Sequence, residues 1–199
     1  MEQTKWRDLV KKLGWSIDDT QFELLIQYRD WLATEAIPAG GLGKHEHGKL
    51  DERHIVDSLL FAHFISSDTP EVWDLGSGVG LPGIPLAILR PETRFHLIDR
   101  SQRKVDLLKR VVRVLGLANV NVLQIDIEQL KDRVGLIVSR ATLPPKRAFR
   151  LVEPLLTTTG VAVLGGSWIK EPHYRDWETV DVGSEVLDQP VWLLIMHRR

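Results

Sequence analysis

Apolar and polar positions along this chain alternate between two periods. Five short runs rich in apolar residues, at 72–75, 94–98, 120–125, 134–138 and 161–164, have the length and composition of strands. Between and before them the spacing becomes helical. Residues 18–35 place Phe22, Leu25, Tyr28, Trp31 and Leu32 on one stripe, and 51–66 turn Ile55, Leu59, Ala62 and Phe64 or Ile65 inward. A helix over 81–89 stops at Arg90-Pro91. A longer one over 102–115 carries Val105, Leu108, Val111, Val112 and Leu115 against Arg103, Lys104, Asp106, Lys109, Arg110 and Arg113, until Gly116 ends it. Pro144 and Pro145 open another helix, with Lys146, Arg147 and Arg150. Residues 180–186 and 191–197, separated by 187–190, read as an antiparallel pair.

Strands alternating with helices predict an α/β fold with a parallel sheet and right-handed crossovers. The expectation is a single domain over 1–199, of which 1–67 is a helical N-terminal extension capping the sheet.

The chain is organised around residues 71–87, a strand running through a glycine-rich turn into a helix. Glycines at 76, 78 and 80 suit backbone that bends sharply against a ligand, and Pro82 suits a first helical turn. Two spellings coexist. Gly78-x-Gly80-x-x-Gly83 with Asp99 downstream matches a dinucleotide fingerprint. Asp74-x-Gly76-x-Gly78-x-Gly80 matches the turn used for S-adenosyl-L-methionine. The second is favoured, because the first places Asp74 and Gly76 inside a strand expected to be continuously apolar.

Ligands of open parallel sheets bind beyond the carboxyl ends of the strands, where Asp74, Asp99 and the segment 126–128 converge. Asp74 is assigned to the methionine end of the cofactor, with Gly76, Gly78 and Leu81 along the turn. Asp99 is assigned to the ribose, and Ile127 with Glu128 to the adenine. The alternative for Asp126 or Glu128 is a cap on the next helical turn. Strand 134–138 delivers Ser139-Arg140-Ala141 to the same edge, and Arg140 is the candidate catalytic cation, suited to orienting an anion or stacking on a base. His54 and Asp57, three apart, lie on one helix face, either as a tie between helix and sheet or as part of the site. The loop Lys44-His45-Glu46-His47-Gly48-Lys49 holds two histidines without a third ligand, so no metal is expected.

Composition narrows the chemistry. The 199 residues, 43% hydrophobic and 27% charged, suit one soluble domain. No apolar run reaches the roughly 20 residues of a membrane span, and the N-terminus has no apolar signal core, so a cytoplasmic location without membrane contact is expected. Zero cysteines exclude thiolate metal sites and the covalent addition required for methyl transfer to pyrimidine C5. A net charge of −1 requires any nucleic-acid contact to be a local basic patch, or the substrate to arrive on a protein-coated particle.

The run Gly80-Leu81-Pro82-Gly83-Ile84-Pro85-Leu86, then Arg90-Pro91, Asp99, Lys104, Leu108 and Ser139-Arg140-Ala141, resembles the bacterial 16S ribosomal RNA guanine-N7 methyltransferases, the glucose-inhibited division protein B family. The upstream His54-x-x-Asp57-Ser58-Leu59 is similar to that family's N-terminal helix. The resemblance implies a Rossmann-like S-adenosylmethionine-dependent methyltransferase acting on 16S ribosomal RNA or the small ribosomal subunit, expected to be a monomer. It also implies that Arg140 lies against the cofactor. Guanine N7 carries an in-plane lone pair, so its methylation needs positioning and no base. The Asn/Asp-Pro-Pro-aromatic signature of amino-group methylation is missing, since 139–145 read Ser-Arg-Ala-Thr-Leu-Pro-Pro. Two departures stand out: Gly165-Gly166 where the family commonly has Lys-Gly, and Asp126 where it commonly has Arg. The alternatives are a methyltransferase for another RNA site or a small molecule, a nicotinamide-dependent oxidoreductase, and an inactive RNA-binding protein on this fold.

Overall fold

Runs apolar on both faces pair in parallel and take their crossover helices on either side. The computed structural model describes residues 7, 11–12, 14–140, 145–167, 177–182 and 191–198. Its strands are β1 Glu71–Leu75, β2 Arg94–Asp99, β3 Val120–Gln124, β4 Val134–Arg140, β5 Leu156–Ser167, β6 Glu178–Val182 and β7 Val191–His197. They form one sheet in the order β3-β2-β1-β4-β5-β7-β6. The first five run parallel, and β7 and β6 complete the sheet antiparallel. Because β1 is flanked by β2 on one side and β4 on the other, successive crossovers leave it in opposite directions. A crevice opens at this switch point, beyond the strand ends.

The helices are α1 Asp19–Trp31, α2 Gly83–Leu89, α3 Gln102–Leu115 and α4 Pro145–Val152. A capping box starts α1: the Asp18 carboxylate accepts from the Gln21 amide at 2.7 Å while the Gln21 side chain accepts from the Asp18 amide at 3.1 Å. The stripe on α1 predicted from spacing is buried, as are Ile55, Leu59, Ala62 and Ile65, with Phe64 only half-buried.

Five segments differ from expectation. The helix expected over 18–35 changes at Leu32–Ala36 into a wide π turn. The helix expected over 51–66 is a run of three turn types, π over Leu50–Val56, α over Asp57–Leu59 and 3-10 over Leu60–Phe64. It is preceded by a short 3-10 helix, Lys44–Lys49, where a polar loop was expected; the side chain of Glu46 turns inward there. Helix α2 begins at Gly83 because the Leu81 amide is held in the preceding turn by the Ser77 carbonyl, at 3.1 Å. Strand β5 starts five residues before 161, since Thr157, Thr158 and Thr159 are β-branched and extend readily. Ala141, Pro144 and residues 183–190 lie outside the described residues, as does the side chain of Lys146.

The N-terminal extension and the sheet share one core. Phe22, Leu25, Tyr28 and Leu59 pack with Ile84, Phe95, Leu97 and Leu108 on one face of the sheet. On the other face Trp73, Leu75, Ile98 and Ile137 pack with Ala148 and Val152 of α4. No helix among the described residues is long and apolar enough to cross a membrane.

A wholly buried polar contact crosses the apolar seam: the Tyr28 hydroxyl donates to the Val79 carbonyl at 3.0 Å and ties the extension to the glycine-rich turn. Tyr28→Phe leaves that carbonyl without its partner. Urea unfolding of the variant should show a loss of about 1–2 kcal/mol with an unchanged m-value.

Candidate active site

The turn after β1 is built from its own polar atoms. The Gly76 and Ser77 amides both donate to the Ile98 carbonyl of β2, at 2.8 and 3.1 Å, and the Ser77 hydroxyl donates to the Asp74 carbonyl at 2.8 Å while accepting the Ile98 amide at 3.0 Å. From β4, the Ser139 hydroxyl donates to the Leu75 carbonyl at 2.7 Å. Gly76, Gly78 and Gly80 all have positive φ, at 71°, 63° and 107°. Gly78 is the informative one: a β-carbon there meets nothing nearer than the Gly76 carbonyl oxygen at 3.9 Å, so its bare backbone faces open space.

Asp74 lies beneath this turn, wholly buried and outside the residues that line the crevice. Its Oδ2 accepts the Gly83 amide at 3.0 Å, and Oδ1 has no hydrogen-bond partner among the described residues. Burial pushes its carboxyl up to about 7, against the pull of the Gly83 N–H.

The crevice, about 620 Å³, is lined by all the other residues predicted for the site: Gly76, Gly78, Leu81, Asp99, Ile127, Glu128 and Arg140. Asp99, at the end of β2, accepts the Gly78 amide at 3.0 Å on Oδ2 and the Ser101 amide at 2.9 Å on Oδ1, with Lys104 Nζ at 3.9 Å. Each carboxylate oxygen retains a lone pair for a further donor. Asp126 does what a cap does: its Oδ1 accepts the Glu128 amide at 3.1 Å, and Arg100 lies 3.6 Å from Oδ2. The exposed Glu128 side chain pairs with Arg147 of α4 at 2.8 Å, while Ile127 contributes an apolar contact surface.

Arg140, the last residue of β4, turns its guanidinium to the N-terminal extension. It donates to the Arg53 carbonyl at 2.9 Å and to His54 Nδ1 at 2.9 Å. His54 Nε2 lies 2.9 Å from Glu46 Oε2. Burial, then the Arg140 charge, lowers His54 to about 4, so the ring is neutral at pH 7. His54 therefore ties helix to sheet and lines the crevice at once, whereas Asp57 is buried and acts on Arg140 through its charge.

Spacing alone missed Glu46, Arg53 and the crevice-lining segment Gly41, Leu42 and Gly43. The last had a signal, a glycine-rich break like the one after β1. Glu46 had none. On the basic face of α3, Arg110 pairs with Glu35 of the extension at 3.0 Å. Gly165, the departure from Lys, has φ 135° within β5, and a β-carbon there would lie 2.8 Å from the Trp192 carbonyl oxygen. The backbone of β7 leaves no room for a side chain.

Sheet order and crevice define the Rossmann-like methyltransferase fold. The structure is similar to a SAM-dependent methyltransferase from Aquifex aeolicus (TM-score 0.58, 15% identity, 87% of this chain and 98% of that one). It is also similar to magnesium protoporphyrin IX methyltransferase from Synechocystis with bound SAM (TM-score 0.57, 18% identity, 92% and 99%). The sequence is more specific. Residues 21–184 match the family model for rRNA small subunit methyltransferase G, and the chain belongs to that family. It is 38% identical to ribosomal RNA small subunit methyltransferase G of Mycobacterium marinum over 89% of this chain and 85% of that protein. To the protein of that name from Acidothermus cellulolyticus it is 36% identical, over 84% and 72%.

The Asp74 carboxyl yields a pH prediction. Its folded value of about 7 exceeds the roughly 3.9 of an unfolded chain, so between those values the folded protein holds a proton that the unfolded chain has lost. Its contribution to stability is complete below about pH 4 and is lost as pH rises through 7. The unfolding free energy of the wild type minus that of Asp74→Asn, measured without cofactor, should fall across that window by on the order of 3 kcal/mol. A flat difference would show that Asp74 titrates normally.

Proposed function

We propose that this chain transfers the methyl group of S-adenosyl-L-methionine to N7 of a guanine in 16S ribosomal RNA, with the extension and the sheet acting as one domain. The observation that carries the reading is the crevice at the switch point of the sheet, formed by a bare glycine turn and the Asp99 carboxylate in a chain of this family. The residues fit the cofactor. Gly78 leaves backbone open to the ligand, Asp99 has lone pairs left for ribose hydroxyls, Ile127 offers the adenine an apolar surface, and Leu81 closes the side of the turn. Asp74 acts from below, through Gly83, by keeping the turn in shape.

When bound, S-adenosylmethionine supplies an electrophilic methyl carbon, taken by the N7 lone pair as the C–S bonding electrons leave on sulfur, with no proton moved. The protein's task is then to bind, orient and exclude water. Arg140 stands at the crevice wall as the cation that orients the incoming base, and Arg53, Lys104 and Arg147 lie along the same crevice as a local basic patch.

Incubation with radiolabelled S-adenosylmethionine and either intact small subunits or naked ribosomal RNA, followed by mapping of the modified base, tests this reading. Label at a guanine N7 of 16S RNA is expected, and Asp99→Ala should weaken cofactor binding by about 1–3 kcal/mol through lost ribose hydrogen bonds. Label at another atom, or in no RNA, contradicts it.

A further inference from the structure

Arginine has no acceptor, so the hydrogen bond from Arg140 to His54 shows which state the imidazole is in. At 2.9 Å from the guanidinium, Nδ1 must carry its lone pair. The proton of the neutral ring then sits on Nε2 and is donated to Glu46 Oε2, also at 2.9 Å. The chain of contacts runs one way, from guanidinium to imidazole to carboxylate, and each donor meets an acceptor. Glu46 and His54 are both buried, which strengthens the hydrogen bond between them. The second guanidinium contact, to the Arg53 carbonyl, comes from the same wide turn that carries His54.

We propose that Glu46 and His54 are positioning residues for methyl transfer: Glu46 selects the imidazole tautomer that receives Arg140, and the N-terminal extension thereby sets the guanidinium at the crevice wall. This inference rests on the proposed function for its catalytic consequence, and on the hydrogen-bond geometry alone for the tautomer. Without the carboxylate, the proton can move to Nδ1, where it faces the Arg140 N–H and drives the guanidinium away. Displacement of an orienting group by about 1 Å costs on the order of 100-fold in rate. Glutamine at position 46 keeps a side-chain oxygen that accepts from Nε2, so it preserves the tautomer. Other titratable groups face these side chains as well: His45 Nε2 and Arg53 lie 3.0 and 3.7 Å from Glu46 Oε1, and Asp57, Asp74 and the neutral Tyr28 hydroxyl surround Arg140.

Two measurements test the proposal. Nitrogen-15 NMR of histidine-labelled free protein at pH 7 should show His54 protonated at Nε2 and bare at Nδ1, and the opposite tautomer would overturn the proposal whether or not any variant folds. Single-turnover methylation of small-subunit RNA at saturating cofactor should fall about 10- to 100-fold in Glu46→Ala and stay within about threefold of wild type in Glu46→Gln. Adding Glu46→Ala to His54→Ala should cause no further loss, because Glu46 acts through the ring. A wild-type rate in Glu46→Ala, or losses that multiply in the double variant, would overturn it. Failure of the wild type to methylate the RNA would instead count against the proposed function, leaving the tautomer result to stand or fall alone.

Discussion

A carboxylate shut away from water holds the end of β1 to the start of α2, and the crevice depends on that contact. Asp74 accepts the Gly83 amide from beneath, and the two residues cannot separate without pulling the intervening turn open. Glycine is the one residue that position 83 admits. A β-carbon there would lie 2.6 Å from Asp74 Oδ2 and against a methyl of Leu97, so the helix start would be pushed off the strand or the carboxyl displaced. Burying a carboxyl costs free energy, which accounts for its raised pKa and for the density of hydrogen bonds around it. Ser77, Ser139 and Tyr28 each satisfy a carbonyl of the strand end or turn, and the glycine backbone above is left facing the crevice.

The N-terminal extension supplies more than a lid on the apolar face of the sheet. Its segment Gly41, Leu42 and Gly43, with Glu46, Arg53 and His54, forms a wall of the crevice that the strand ends alone do not provide. A net charge of −1 is compatible with work on RNA because cations are concentrated here, at Arg53, Arg100, Lys104, Arg140 and Arg147. Several of them are balanced locally by Asp99, Asp126 and Glu128, so the patch is a patterned surface with both signs of charge.

Much of this was legible in the sequence because its determinants are local. Asp99 ends a strand, and strand ends of a parallel sheet must converge, whereas Asp74, read as facing the cofactor, lies inside β1 and beneath the turn. Leu81 and Arg140 inherit their places from the same rule. The contacts that join the extension to the sheet were not legible. Glu46 sits among Lys44, His45 and His47, a run with no period, and its burial follows from a histidine eight residues away and an arginine in β4. Local pattern also predicts one smooth helix over 51–66, whereas that segment runs through three turn types, with His54 and Asp57 buried. The Gly165 departure reads as a lost cation in sequence, and in three dimensions as a position crowded by β7.

The cofactor turn is preformed, held from beneath by Asp74 before any ligand arrives. Amide hydrogen exchange at Gly83, followed in the protein without cofactor, tests it most directly, because that N–H is the one donated to the buried carboxylate. The Gly83 amide is expected to be already protected to nearly the level of the β1 and β2 amides, and S-adenosylmethionine to change it little. Fast exchange in the free protein, with protection only after the cofactor is added, would mean that the ligand builds the turn and would contradict the account.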